Sequence, residues 1–256
     1  MHPRFIVPGP ALLIERSIKV LVVADPHFGA ESGLARRGVH IESYSAARFE
    51  RLCACIDAAE PDLLVLLGDV KHSIPGTTRQ EHAELPGILD ALRNRVPLRI
   101  LPGNHDAGIE RFCEPGELLR KEGAVIDGTG YLHGHTFPAP DLLGHLLVAG
   151  HHHPVVHIYD DVGCALRAHP AYLLAELDES CLKMKAPAPA PCATRVLLVP
   201  AFFELAGGLD VREIPASGLS PLSRCIRTDD AEVFLQDGTY IDTLGSLTAQ
   251  DDSQAA

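Results

Sequence analysis

Four short apolar runs, each closing on a polar cluster, constrain what this chain can become. Residues 18–24 (IKVLVVA) lead into Asp25-Pro26-His27, and Leu63–Leu67 leads into Gly68-Asp69. Residues 98–101 lead into Pro102-Gly103-Asn104-His105-Asp106, and Leu146–Ala149 leads into Gly150-His151-His152-His153. Runs this short, rich in aliphatic and β-branched residues and bounded by Gly or Pro, read as buried strands. Between them, residues 43–60 repeat apolar side chains at helical spacing (Tyr44, Ala47, Leu52, Cys55, Ile56, Ala59), as do residues 80–95 (Leu85, Ile88, Leu89, Leu92). Strand–helix–strand–helix–strand order argues for an α/β layered fold. Sites in such sheets form at the carboxyl ends of the strands, where all four clusters stand.

The second half is richer in strand patterns, over residues 155–159, 171–177, 195–203 and 232–235. Residues 185–192 (KAPAPAPC) read as a long loop within a hairpin rather than a domain boundary, because strand character resumes at once in VLLVPAFF. The expected organisation is a single domain over residues 1–245, followed by a flexible tail over 246–256. At 46% hydrophobic and 22% charged, the composition excludes disorder for the bulk of the chain. No apolar run approaches the ~18 residues of a membrane span, and the start has no signal-peptide core. The formal charge of −12 argues against a broad nonspecific grip on nucleic acid or anionic membrane. It leaves room for a local cationic site made by bound metals. Seven cysteines without a C-x-x-C read as reduced core thiols, and from them a cytoplasmic location is expected.

Histidine is the unusual residue. There are 14, and ten lie between His72 and His157, mostly in Gly-, Asp-, Asn- and Pro-rich clusters, which suggests a metal site. Asp25 and His27, Asp69, Asn104, His133 and His135, and His151 and His153 together offer carboxylates, an amide and several imidazoles. That mixture suits Mn²⁺, Fe or Zn²⁺ and is too nitrogen-rich for Ca²⁺ or Mg²⁺. The donors outnumber what one ion needs, so two ions are the better reading, and two-metal sites suit phosphoester cleavage.

The motifs D-x-H, G-D, G-N-H-D, H-G and G-H-x-H follow in that order over residues 25–153. In this the chain resembles the calcineurin-like metallophosphoesterase superfamily. The stretches ADPHFGAESGLARRG, GDVKHSIPG, HGHTFP, GHHHPVV and VLLVPAF resemble an archaeal branch of small phosphoesterases related to bacterial DNA-ligase-associated phosphoesterases. The resemblance implies a four-layer α/β/β/α sandwich of two mixed sheets, with a dimetal site at the strand carboxyl ends. It implies that Asp25, His27 and His153 hold one ion, that Asn104, His133 and His151 hold the other, and that Asp69 bridges them. His135 is the alternative to His133. A hydroxide between the ions would attack phosphorus, His105 would protonate the leaving oxygen, and Asp106 would accept a hydrogen bond from the His105 ring; the other reading of Asp106 is a helix N-cap.

His152 reads as a surface or substrate-rim residue. Lys71 and His72, and the pair Arg36 and Arg37, are either phosphate contacts or solvated residues. His2, His40, His82, His145, His157 and His169 read as structural or surface residues. The expected activity is phosphodiester hydrolysis, as a nuclease or nucleotide phosphodiesterase, with two divalent ions, Mn before Fe or Zn. The alternatives are a phosphomonoesterase acting on nucleotides or phosphoproteins and a metal-binding scaffold without turnover. The presence of His105 and Asp106 argues against the scaffold. The expected partner is a phosphoester substrate, a nucleotide or short nucleic acid, and a homodimer is compatible.

Overall fold

A computed structural model describes residues 3–35, 38, 42–159, 165–184 and 192–254. The first sheet holds β1 (Arg4–Ile6), β2 (Ala11–Glu15), β3 (Lys19–Ala24), β4 (Leu63–Leu67) and β5 (Leu98–Ile100), in that spatial order. β1, β2 and β3 pair antiparallel, whereas β3, β4 and β5 run parallel. The parallel connections carry α1 (Glu31–Ala35) and α2 (Ser45–Ala59), then α3 (Arg79–Arg93).

The second sheet is built from β6 (Ala124–Ile126), β7 (Thr129–Leu132), β8 (Leu146–Ala149), β9 (Pro154–Tyr159), β10 (Ala165–Glu176), β11 (Arg195–Leu198) and β12 (Leu209–Asp210). Its order is β12-β9-β10-β11-β8-β7-β6, and β13 (Glu232–Leu235) and β14 (Tyr240–Thr243) extend from β10. β7, β8 and β11 are parallel while β10 pairs antiparallel with both β9 and β11, so this sheet is mixed as well. α4 (Glu179–Leu182), α5 (Ile214–Ser217) and α6 (Leu244–Gln254) complete the chain.

Three cores define four layers. Leu21 and Val23 of β3 and Leu64 and Leu66 of β4 point away from the second sheet, against Leu52 and Ile56 of α2 and Leu85 and Leu89 of α3. The alternate residues Val20, Val22, Val65 and Leu67 face the other way and pack on Tyr131, Val148, Tyr172 and Leu197 of the second sheet. The far face of that sheet, through Leu147, Leu173, Val196 and Leu198, packs on Leu182, Ile214 and Leu244. The architecture is therefore the expected α/β/β/α sandwich. β3 and β4 are buried on both faces, which explains their unbroken apolar runs. Truncating one such residue, as in Leu66→Ala, would cost about 2–5 kcal/mol.

Several boundaries differ from the pattern reading. The strand expected over residues 195–203 ends at Leu198. Val199 still donates to the Ala149 carbonyl at 2.8 Å, but Pro200 has no N–H and leaves the ladder. The chain then crosses to the first sheet, where Phe202 and Phe203 donate to the carbonyls of Ala24 (2.8 Å) and Asp25 (3.2 Å). Residues expected to form a tail are helical in α6, and Leu247 is buried in the outer core.

The reduced-thiol expectation fails for one pair, since Cys181 and Cys225 form a disulfide with Cα atoms 5.5 Å apart. They are 44 residues apart and show no framework spacing, so sequence offered no signal. The ground for a cytoplasmic location goes with them. Cys53, Cys55, Cys113 and Cys192 are free thiols. The loop expected at 185–192 lies, but for Cys192, outside the described residues. Among the described residues, no helix is long and apolar enough to cross a membrane.

Candidate metal centre

Parallel pairing brings the carboxyl ends of β3, β4 and β5 to one edge of the first sheet, and those of β7 and β8 to one edge of the second. Asp25, Asp69 and the Asn104–Asp106 turn follow the first three strands; His133 and the 151–153 turn follow the other two. Packing of the sheets makes these edges meet. His133 Nε2 lies 2.9 Å from Asp25 Oδ1, and the His151 amide donates to Asp25 Oδ2 at 2.9 Å.

The turns are strained where the donors sit. Nine non-glycine residues among those described have positive φ, and five of them are Asp25, His27, Asp69, His151 and His153. Such conformations persist only where the surroundings over-determine them, and they gather at functional sites. Glycine makes room beside them. A Cβ on Gly103 would stand 2.1 Å from Asp69 Oδ1, and one on Gly68 (φ +73°) would stand 2.5 Å from His133 Cδ2.

Asp69 is the hub. Its Oδ2 lies 3.7 Å from His27 Nε2, 3.6 Å from His133 Nε2 and 3.8 Å from His105 Nε2. Asp25 Oδ1 also lies 3.5 Å from His153 Nε2. That nitrogen is buried and has no hydrogen-bond partner. Two donor sets, Asp25–His27–His153 and Asp25–Asp69–His133, each gather their ligand atoms within 4.8 Å of one another; a third, His27–His72–His105, shares His27. The His151 ring packs on His133 at 4.9 Å between centroids. His135 lies one step further out, with its Nδ1 2.9 Å from that of His133. Asn104, in the turn between Gly103 and His105, is exposed.

The electrostatics fit divalent cations. Asp25 and Asp69 are 0% and 2% exposed, which isolated carboxylates would not tolerate. Burial raises the Asp69 carboxyl, with Asp25 adding to the effect. Burial also opposes ionisation of Asp25, but the imidazoles of His153 and His133 outweigh it and hold that carboxyl well below the usual range. Burial pushes His27 well down, and His135 and His151 down to about 4, so these rings keep a lone pair at neutral pH. His133 and His153 are the exceptions: burial lowers both, but their contacts with Asp25 overcome it and raise them. Two buried carboxylates, neutral imidazoles and an orphaned buried nitrogen make a donor set suited to metal ions.

Three sequence expectations, for Asp106, Lys71 and His152, need correction. The Asp106 carboxylate accepts from the backbone amides of Lys71 (3.1 Å) and Gly103 (2.8 Å), tying the two loops together. The His105 ring instead donates from Nδ1 to the His72 carbonyl. Burial and the charge of Asp69 push Asp106 up to about 6. Lys71 is neither a phosphate contact nor solvated: it is 0% exposed, and its Nζ donates to the carbonyls of Ser73, Gly76 and His105. His152 is 2% exposed and bonds the Gly150 carbonyl and Ser220 Oγ, so it is no rim residue. His72 is half-buried, with Nδ1 3.3 Å from His27 Nδ1. Arg36 and Arg37 lie outside the described residues.

One supporting group escaped the sequence reading. Arg48 is 0% exposed, pairs with Glu31 at 3.0 Å and Glu204 at 3.2 Å, and donates to the strained His27 carbonyl at 3.2 Å. It falls on the buried stripe of α2 with Ser45, Leu52, Cys55 and Ile56, so helical periodicity could have flagged it.

Comparison with known proteins shows the family of the chain. Over 64 residues the chain is 39% identical to the mouse serine/threonine-protein phosphatase CPPED1 and 33% identical to the rat protein. These matches cover 22% of this chain and 20% of each relative, so the chain spans about a fifth of the curated relatives it matches. The crystal structure of Pseudomonas putida nuclease MPE superposes with a TM-score of 0.53 at 20% identity, covering 92% of this chain and 96% of that one, a likeness of fold. Residues 18–165, which carry every motif of the centre and more than half of the chain, match the family model of calcineurin-like phosphoesterases. The chain belongs to that family of metal-dependent hydrolases.

Proposed function

We propose that this chain hydrolyses phosphodiesters, as a nuclease or nucleotide phosphodiesterase, at a pair of divalent ions, Mn²⁺ before Fe or Zn. The observation that carries the reading is the position of Asp69, whose Oδ2 stands nearly equidistant from imidazoles belonging to both proposed ion positions. Asp25, His27 and His153 would hold one ion; Asn104, His133 and His151 would hold the other; Asp69 would serve both. Bound there, the ions supply Lewis-acid activation of water and neutralise phosphoryl oxygens.

His105 does the proton work in this reading. The His72 carbonyl can only accept, so His105 Nδ1 keeps its hydrogen. Nε2, on the Asp69 side, is then the nitrogen that exchanges a proton with the leaving oxygen. Asp106 is a positioning residue, fixing the loop that carries His105. Arg48 holds the backbone of His27.

Diester is preferred to monoester because a terminal phosphate needs an extra cationic clamp. Lys71, one candidate for it, is bound to three carbonyls, and the others, Arg36 and Arg37, lie outside the described residues. The CPPED1 likeness keeps the phosphomonoesterase as the second reading, over the short stretch it covers. Metal-free protein supplied with Mn²⁺ should hydrolyse bis-p-nitrophenyl phosphate faster than p-nitrophenyl phosphate and lose that activity in Asp69→Asn. A faster monoester rate would make this a phosphatase. No turnover of either ester with Mn²⁺, Fe²⁺, Co²⁺ or Zn²⁺ would favour a scaffold.

A further inference from the structure

A cavity of about 670 Å³ opens beside the centre, sharing His27, His105 and His153 with it. Ile74, Phe203 and Leu205 are its large apolar lining residues. Ile74 and Leu205 are 52% and 59% exposed, and both line this one cavity, so together they offer a bound group an apolar surface that solvent otherwise meets. Phe203 is a fixed wall. The guanidinium carbon of Arg48 sits 4.4 Å from its ring centroid, and Arg48 is itself locked by Glu31 and Glu204. The Phe203 amide is tied to the Asp25 carbonyl, so the apolar wall and the metal-ligand turn move together.

The charge pattern narrows the occupant. Among the described residues that line this cavity, the ionisable groups are the imidazoles of His27, His72, His105 and His153. No lysine, arginine or carboxylate among them would meet a charged group there. The cavity also lies on the side of His105, the group assigned to the leaving oxygen. A leaving alcohol protonated by His105 would therefore have this cavity, with Ile74, Phe203 and Leu205 in its lining, to enter.

We propose that this cavity is the leaving-group subsite and that it takes a neutral group with an apolar face, the base of the departing nucleoside. The assignment rests on the phosphodiesterase reading above. It makes Ile74 and Leu205 specificity-determining residues: the ions and His105 act on any phosphodiester, while this wall selects what the diester carries on one side. Contact of a base with an aromatic wall is worth roughly a factor of ten, and Ile74 and Leu205 add buried apolar area beside Phe203.

The test uses the Mn²⁺-loaded full chain and three dinucleoside monophosphates: thymidylyl-thymidine, and two analogues in which one or the other base is absent. The alcohols have the same reactivity, and the products identify which nucleoside departed. Removing the base from the departing nucleoside should lower kcat/KM about tenfold, whereas removing the other should change it less than threefold. In Ile74→Ser/Leu205→Ser, both at exposed positions, the ratio between the intact substrate and the analogue lacking the departing base should fall at least threefold from about ten, the Phe203 side of the wall being retained. Equal sensitivity to the two bases, or a ratio unchanged in the variant, would overturn the subsite. Failure of the underlying reading looks different: no dinucleoside monophosphate would be cleaved while p-nitrophenyl phosphate was, and the subsite would fall with it.

Discussion

His72 offers the sharpest perturbation of the centre, because its side chain and backbone serve different imidazoles. Its Nδ1 lies 3.3 Å from His27 Nδ1, while its carbonyl accepts from His105 Nδ1. If His27 uses Nε2 toward an ion, its Nδ1 carries the hydrogen and donates it to His72. Truncating His72 to alanine removes that acceptor and spares the carbonyl that orients His105. Loss of such an outer partner to a ligating histidine costs roughly 10–100-fold in metal affinity. The 3.3 Å separation is long for a hydrogen bond, which argues for the lower end, about tenfold or ~1.4 kcal/mol. His72→Asn keeps an acceptor close to the Nδ1 position and should recover most of the loss. Calorimetric titration of Mn²⁺ into metal-free wild type, His72→Ala and His72→Asn measures this without turnover. Equal affinities in all three proteins would refute the reasoning, as would an asparagine variant no better than alanine.

Three further outcomes follow from the same geometry. Gly103→Ala should lower Mn²⁺ affinity and phosphodiester turnover at least 100-fold, since its Cβ would collide with Asp69 Oδ1 and the Asp69 amide; near-normal binding by calorimetry would show that the turn can shift at no cost. Lys71→Met leaves the carbonyls of Ser73, Gly76 and His105 without their donor and should destabilise the fold by about 2–4 kcal/mol in urea unfolding. A Lys71→Met protein of normal stability and raised KM would instead return Lys71 to the substrate. Glu81 caps α3, and burial opposes its charge, but hydrogen bonds from Thr78, Ser73 and His72 together hold its carboxyl below the ordinary 4.5. A depressed folded value means stability that is present above pH ~4.5 and lost as pH falls through the lower folded value. The gap in unfolding free energy between wild type and Glu81→Gln should therefore be wide at pH 7 and narrow below pH 4; a gap that is constant with pH would show that Glu81 acts without its charge.

Much of this architecture was legible because two periodicities and a few turn residues carry it. β3, β4 and β8 appear as aliphatic runs because each is buried on both faces, and Gly or Pro marks where each yields to a loop. The clusters at those ends could be ordered along the chain, and the fold brings Asp25, Asp69, His133 and His153 together. What sequence could not show is where a polar side chain turns once the loop closes. Lys71 looks like a solvated loop residue until the carbonyl of His105, 34 residues away, completes its cage. Asp106 follows His105 directly, yet the turn aims its carboxylate back at the Gly103 amide and leaves the His105 ring to a carbonyl from another loop. His152 stands between two exposed-looking neighbours in a polar turn, but Ser220, 68 residues on, receives it in the interior. Each of these contacts is nonlocal, and local pattern is silent on them.

The central claim is that Asp69 stands between two divalent ions. The direct measurement is an anomalous difference map from crystals of the protein grown with Mn²⁺. The account predicts two peaks about 3.5–4 Å apart, both coordinated by Asp69, one also by Asp25, His27 and His153 and the other also by Asn104, His133 and His151. A single peak, or two peaks of which Asp69 touches only one, would contradict it.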